Sequence, residues 1–160
     1  MSDPLATYLH DHLAGSTFAI ELLESLRDRH SKTDLGGFAA AVLADVKEDQ
    51  QVLQTIVDRV GKSGADLKQA TAWLAEKASE LKLRRDDPGG LGTLQALETL
   101  TLGITGKLGL WRVLAVVAET DDRVHGADFD KLIAHAQKQH SRVEQRRIER
   151  AHSAFKAIPK

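Results

Sequence analysis

The stretch TLQALETLTLGITGKLGLWRVLAVVAE, residues 93–119, decides the fold of this chain. It is apolar nearly all the way round the helix that it predicts, and its charged residues are few: Glu98, Lys107, Arg112 and Glu119. A helix without a clean polar face belongs inside a bundle, because it has to bury apolar side chains against more than one neighbour. We therefore expect a central helix that is packed on at least two sides.

The same stretch holds three glycines, which lower helix propensity by up to about 1 kcal/mol each relative to alanine: Gly103, Gly106 and Gly109. Glycines at this spacing predict the close approach of a neighbouring helix. Three neighbouring helices are not expected to cover the whole helix, and the apolar face that they would leave consists of Leu102, Gly106, Gly109, Val113 and Val116. If this face stays exposed, it would mark the interface of a homodimer.

The composition predicts a single all-α domain over residues 1–160. Of the 160 residues, 42% are hydrophobic and 28% are charged, and only three are proline, which suits a helical globular protein. The net charge of −1 provides no overall field for nucleic acid or an acidic membrane, so neither is expected as a partner. The lack of cysteine excludes disulfides and thiolate ligands. The first residues lack the pattern of a signal peptide, and we expect a cytoplasmic protein.

Helix periodicity and capping residues predict four long helices, over residues 4–29, 35–60, 93–119 and 128–157, and a short one over 67–83. The pair Asp3–Pro4 is typical of a helix start, and Gly61 is typical of a helix end. The short connection over 30–34 makes the first two helices antiparallel neighbours. The connection over 61–92 is longer than an antiparallel turn requires, so it can carry the chain from one end of a bundle to the other.

Polar side chains fall on core-facing positions of all four long helices. His12 lies at the centre of the apolar face of the first helix, with room beside it from Gly15 and Ser16, and Asp49 occupies a core position of the second helix. At a rise of about 1.5 Å per residue, these positions and their counterparts on the other two helices come to one height. The predicted polar layer consists of His12, Asp49, Lys107, Gln137, His140, Glu144 and Arg147.

This layer has two main interpretations. The first is a structural network in which the carboxylates pair with Lys107 or Arg147, because buried charges are tolerated when they are paired. The second is a mononuclear site for iron, zinc or manganese, with His12, Asp49, His140 and Glu144 as the ligands. A third is an organic ligand, with Trp111 capping its pocket. We favour the network, since the spacing of these residues alone is not a metal signature.

Sequence motifs of catalysis and of nucleic-acid binding are weak or lacking. The chain has no glycine-rich phosphate loop, no His-Glu-x-x-His helix and no Gly-x-Ser-x-Gly turn, so no catalytic residue is predicted and an enzyme is not expected. Basic residues recur along the last helix, namely Lys138, Arg142, Arg146, Arg147 and Arg150. Glu144 and Glu149 interrupt them, which indicates a solvated helix face rather than a phosphate-binding stripe.

Several segments look like those of a small uncharacterised family of bacterial proteins: DHLAG at 11–15, KQATAWLAEK at 68–77 and ALETL at 96–100, followed by GK at 106–107 and LW at 110–111. Four long helices, a crossover before the third and inward polar residues at mid-height are similar to the ferritin-like superfamily. This resemblance implies an all-α, ferritin-like, up-down four-helix bundle with a short extra helix in the crossover, and it implies iron binding or oxidation. The Glu-x-x-His pairs of that superfamily are missing, because 48–51 reads EDQQ and 137–140 reads QKQH.

Overall fold

Four long α-helices make up the part of the chain that the computed structural model describes, which is residues 3–61 and 90–156 together with the single residues 72, 75, 76 and 79. The helices are α1 (Pro4–Arg29), α2 (Asp34–Val60), α3 (Leu91–Val117) and α4 (Phe129–Ala154). These residues contain no strand, so the prediction of an all-α four-helix protein is confirmed. The predicted short helix over 67–83 lies, apart from those single residues, outside the described part of the chain.

The helix ends are set by capping residues that the sequence displays. The Asp3 side chain accepts a hydrogen bond from the backbone N–H of Leu5 over 2.9 Å, ahead of Pro4 in the first turn of α1. The Asp128 side chain accepts one from the N–H of Lys131 over 3.0 Å at the start of α4. Gly61 ends α2 with a φ of +101°, a backbone conformation that L side chains rarely adopt. Local chemistry thus fixes where these helices begin and end.

Contacts at the helix ends show which way each helix points. At one end of the bundle, Arg123 in the loop after α3 donates to Asp3 over 2.6 Å, and Arg59 in the last turn of α2 donates to a backbone carbonyl of the same loop over 2.7 Å. At the other end, the ring Nε2 of His30, just after α1, lies 3.4 Å from the hydroxyl oxygen of Thr93 at the start of α3. α3 therefore begins at the opposite end of the bundle from the end of α2. As a result, α2 and α3 run parallel, whereas α1 and α2, and α3 and α4, run antiparallel.

Two apolar clusters fill the interior, one toward each end of the bundle. The cluster near the α1–α2 connection includes Leu23, Leu26, Val42, Leu97 and Val143. The cluster near the α3–α4 loop includes Leu9, Ile56, Leu110, Trp111, Leu114 and Val124. On α2, α3 and α4 the residues that separate the two clusters are polar, namely Asp49, Lys107 and Gln139. The core is therefore divided at mid-height by a polar layer.

α3 is the central helix that the sequence predicts, but one of its faces is exposed. Leu102, Val113 and Val116 are 69%, 44% and 64% exposed, respectively. We expected the three glycines of α3 to admit a close neighbour, yet no described atom outside the local helix backbone lies within 4 Å of a Cβ built on Gly103, Gly106 or Gly109. The glycines therefore leave open space beside α3 instead of receiving a described helix.

By length and composition alone, α3 is also a helix that could cross a membrane, and 33% of the apolar window that qualifies it is buried in the protein. A single such helix among the described residues is weak evidence for a membrane, because the core helix of a soluble protein passes the same test.

Candidate functional site: a polar layer beside an internal cavity

A closed triangle of hydrogen bonds joins three helices at mid-height. The Lys107 ammonium of α3 donates to Oδ2 of Asp49 on α2 over 2.5 Å, and it also donates to the side-chain carbonyl of Gln139 on α4. The Gln139 amide in turn donates to the same Asp49 oxygen over 3.0 Å. Because α2 and α3 lie diagonally across the bundle, the Asp49–Lys107 pair bridges its centre. The triangle ties α2 to both helices of the α3–α4 pair, which follow it in sequence only after residues 61–90.

Burial makes this ion pair different from an ordinary surface pair. The side chains of Asp49 and Lys107 are 7% and 15% exposed. Burial lowers the pKa of Lys107, because it disfavours the charged ammonium, and the neighbouring Asp49 carboxylate opposes that effect. The desolvation cost of two such charges is offset only when the geometry is good and further hydrogen bonds are made, as Gln139 does here. Asp49 and Gln139 therefore make it possible for the charged Lys107 ammonium to be buried.

A cavity of about 270 Å³ adjoins the triangle, between α1, α2 and α3. Its wall is largely apolar, with Val42, Val46, Leu53, Leu100, Ile104 and Leu110 among the lining residues. The polar side chains in the wall include His12, Asp49, Lys107 and Trp111, three of which belong to the predicted polar layer. Apolar walls with a few convergent polar groups are typical of sites for small molecules.

Glycines form the mouth of this cavity. Gly15 of α1 and Gly103 and Gly106 of α3 all line it, all are exposed, and none has a described atom within 4 Å of a built Cβ, the local helix backbone apart. A side chain at any of these positions would add atoms at the edge of the cavity without meeting a described neighbour at its Cβ. The open space that the glycines of α3 leave is thus the entrance to the cavity.

His12 lines the cavity from α1 and is neutral near pH 7. Its ring packs edge-on against Tyr8, with 4.6 Å between the ring centroids. Burial lowers its pKa below the ordinary value of 6.5, and the nearby Asp11 carboxylate opposes this effect only in part. On the same side, the Gln50 amide donates to the hydroxyl of Ser16 over 2.9 Å and joins α1 to α2. This wall of the cavity is polar but carries no cation.

Trp111 is the largest fully buried side chain of the described residues, and it lines the cavity beside Lys107. Its ring packs at a tilt against Phe129, with 6.3 Å between centroids. The indole N–H is out of reach of solvent and has no hydrogen-bond partner among the described residues. The two ring nitrogens of His10 are in the same situation. Buried polar atoms without partners are uncommon in native proteins and carry a free-energy cost.

Four of the seven residues that the sequence predicts in the polar layer lie elsewhere. Gln137 is exposed, because it lies two positions from the buried Gln139 on the helix surface. Glu144 and Arg147 form a partly exposed pair with two contacts of 2.7 Å, and this pairing lowers the pKa of Glu144. His140 is half-buried beside that pair and does not line the cavity. Of the seven, His12, Asp49 and Lys107 are the ones that line the cavity, and Asp49 and Lys107 contact each other.

The donor set does not fit the predicted metal ion. Among the described residues, no group of three or more His, Cys, Asp or Glu side chains is arranged to hold a metal. The Lys107 ammonium occupies the position beside Asp49 that a metal cation would need. Glu144 is engaged by Arg147, away from Asp49. The site for iron, zinc or manganese built from His12, Asp49, His140 and Glu144 stays a prediction that these contacts do not support, because His140 and Glu144 do not line the cavity and Asp49 is already paired with a cation.

Gln139 is the functional residue that sequence reasoning missed. It lies three positions after the buried Ala136 and four before the buried Val143, so its spacing matches the core face of α4. His140 lies four positions after Ala136 and three before Val143, so it fits the same face. The sequence favours His140, because an imidazole is a candidate metal ligand. Helical periodicity alone does not distinguish these two neighbours, since they lie on opposite sides of the same face and the rotation of α4 decides which of them is buried.

A second, more open groove of about 410 Å³ lies between α2 and α4, on the other side of Asp49. The charged and polar side chains in its lining include Glu48, Arg59, Asp128, Lys131 and His135. The basic residues further along α4 are engaged within the chain: Arg142 contacts Asp45 over 2.8 Å, and the guanidinium of Arg146 lies 5.0 Å from the centroid of the Phe38 ring.

A comparison of the chain with protein-family models, with curated proteins and with solved structures finds no match. The geometry of the polar layer and its cavity is therefore what a proposal about function has to start from.

Proposed function

We propose that the protein is a non-catalytic, ferritin-like helical bundle that binds a small and largely apolar molecule in the cavity between α1, α2 and α3. The Asp49–Lys107–Gln139 triangle has a structural role in this proposal, since it fixes the packing of three helices beside the cavity. This function differs from the metal chemistry that the resemblance implies, because Lys107 takes the place of the metal cation.

The proposed ferritin-like relationship is supported by the direction of the helices. α3 starts beside the end of α1, at the opposite end of the bundle from the end of α2. A four-helix bundle with one long crossover between its second and third helices is the arrangement of that class.

The observation that carries the binding function is the combination of an open mouth, an apolar wall and a buried ammonium in one cavity. An engineered apolar cavity of about 150 Å³ stays dry and binds benzene. The cavity of about 270 Å³ found here has room for a larger molecule than that. Its polar groups, moreover, lie next to an apolar wall, which suits a molecule with one polar atom on an apolar body.

Binding of toluene, as a simple apolar probe, tests this function in solution. We expect toluene to raise the midpoint of thermal unfolding and to bind in calorimetric titration, because only the folded state has the cavity. The variant Gly15→Leu should bind toluene at least about tenfold more weakly, since a leucine at the mouth occupies the entrance.

The matched control is Gly37→Leu. Gly37 is an exposed helical glycine whose built Cβ also meets no described atom within 4 Å outside the local helix backbone, but it does not line the cavity. This variant should bind toluene as the parent protein does. Equal binding by the two leucine variants, or a parent protein that binds neither toluene nor any other small aromatic probe, would refute the proposed function.

A further inference from the structure

One N–H donor of the Lys107 ammonium has no acceptor within the triangle. An ammonium group has three N–H donors, and the described contacts use two of them, one to Asp49 and one to Gln139. Lys107 lines the cavity, and its side chain is 15% exposed. The third N–H is therefore the strongest hydrogen-bond donor available to a molecule in the cavity.

The charge balance of the cavity restricts which molecule can use that donor. The Lys107 cation is already compensated by Asp49, and His12 carries no charge near pH 7. The remaining charged side chain in the lining is Asp11, which is exposed at the rim and negative. A bound carboxylate would thus place a second negative charge beside Asp49 without a cation of its own. Burial of an uncompensated charge is strongly unfavourable.

A bound amine is disfavoured for the opposite reason, because it would add a positive charge. Its ammonium would lie close to the Lys107 cation, and like charges at short distance repel each other most strongly where water is excluded. A pure hydrocarbon would fit the apolar wall but would leave the third Lys107 N–H without an acceptor. The group that satisfies all of these conditions is an uncharged oxygen acceptor.

On the premise that the cavity binds a small molecule, we propose that its ligand class is an uncharged apolar compound with a carbonyl oxygen, such as a ketone, ester or aldehyde, which accepts the third N–H of Lys107. The apolar body lies against the wall formed by α1, α2 and α3, and the carbonyl lies toward the triangle. Asp49 and Gln139 act as positioning residues, because they hold the ammonium at the edge of the cavity and neutralise its charge.

Four probes of similar size and different head group test this proposal on the full chain. They are acetophenone (neutral acceptor), toluene (no acceptor), benzoate (anion) and benzylamine (cation), each titrated by calorimetry at pH 7. We expect acetophenone to bind about tenfold tighter than toluene, because a hydrogen bond to a charged donor is gained, and tighter still than the two ions. Equal affinity for acetophenone and toluene, or tightest binding of benzoate or benzylamine, would overturn the proposed ligand class while leaving a binding cavity in place. No binding of any probe would instead remove the function on which the proposal rests.

A variant pair assigns the preference to Lys107. Lys107→Met alone leaves Asp49 buried without a cation and is expected to unfold readily, so the informative protein is the double variant D49N/K107M, which removes both charges together. This variant should still bind toluene and should lose the preference for acetophenone. The control Lys47→Met removes an exposed lysine of α2 that pairs with Glu24 and does not line the cavity. It should keep the parent's tenfold preference, and a double variant that also keeps it would contradict the role given to Lys107.

Discussion

Asp45 and Asp49 lie one turn apart on α2, and each carboxylate contacts a cation on another helix. Asp45 pairs with Arg142 over 2.8 Å, and both side chains are 41% exposed. Asp49 pairs with Lys107 over 2.5 Å where both side chains are almost fully buried. Exposed pairs contribute little to stability, because water already solvates both charges. A buried pair matters mainly through the charge that is stranded when one partner is removed.

This difference predicts the effect of removing each carboxylate. Asp49→Ala should lower the free energy of unfolding by about 3–5 kcal/mol, because it leaves the Lys107 ammonium buried without its partner. Asp45→Ala should lower it by less than about 1 kcal/mol. Urea denaturation followed by circular dichroism measures both changes. A loss at Asp49 no larger than the loss at Asp45 would show that the triangle does not carry a buried charge.

At this scale the sequence predicted some of the polar residues that lie at mid-height, but not all of them. The sequence placed Asp49, Lys107 and His12 among the inward polar groups, because charged residues at apolar helix positions are conspicuous. Gln139 was missed and Gln137 was assigned to the core in error. The reason is that α4 carries a polar residue at every position from 137 to 142, so its periodic pattern does not define the rotation of the helix there.

The α1–α2 hairpin depends on a single glycine at the start of α2. A Cβ added to Gly36 would lie 2.2 Å from the backbone carbonyl oxygen of His30 and 2.7 Å from its carbonyl carbon. Both atoms belong to the backbone of the short connection after α1, so they cannot move aside as a flexible side chain could. Gly37, the next residue, has open space at the same atom. The close approach of the two helices therefore requires glycine at position 36, whereas position 37 has room for a side chain.

We expect Gly36→Ala to lower the free energy of unfolding by about 1–3 kcal/mol, because the methyl group forces the connection away from α2. Gly37→Ala should raise it by about 0.5–1 kcal/mol, since alanine is a better helix former and meets no obstacle. Thermal and urea unfolding of the two variants side by side provide the measurement. A destabilised Gly37→Ala, or an unaffected Gly36→Ala, would contradict this account of the hairpin.

The exposed apolar face of α3 is a candidate for association between two whole molecules. Leu102 and Val116, which are 69% and 64% exposed, lie on the face that the sequence predicts as a homodimer interface. The homodimer stays a prediction. Two copies related by a two-fold axis could pack this face on itself, and Gly109, which lies between the two side chains in sequence and does not line the cavity, would let the helices come close.

Sedimentation velocity at micromolar protein concentration measures the association. We expect the parent chain to sediment as a dimer and the variant L102E/V116E to sediment as a monomer, because each substitution places a charge in the proposed interface. The matched control is Ile148→Glu, since Ile148 is a large apolar residue of α4 with 55% exposure. It should leave the dimer intact. A monomeric parent chain, or a dimer that survives L102E/V116E, would rule out this interface.

The sequence by itself determined the helices of this protein. Apolar spacing, capping aspartates and the glycine after Val60 specify where α1, α2 and α4 begin or end within a few residues, because these are local effects of backbone hydrogen bonding and burial. It also determined that polar groups had to be accommodated inside the bundle, since charged residues occupy positions on apolar faces.

Only the tertiary structure decided what those polar groups do. The rotation of α4 chooses Gln139 over His140, and the diagonal approach of α2 and α3 places Lys107 against Asp49 where a metal ion was expected. The gap between α1 and α3 turns three glycines into the mouth of a cavity. These outcomes depend on rotations and spacings between helices that are set by the packing of all four together, and no local pattern in a single helix records them.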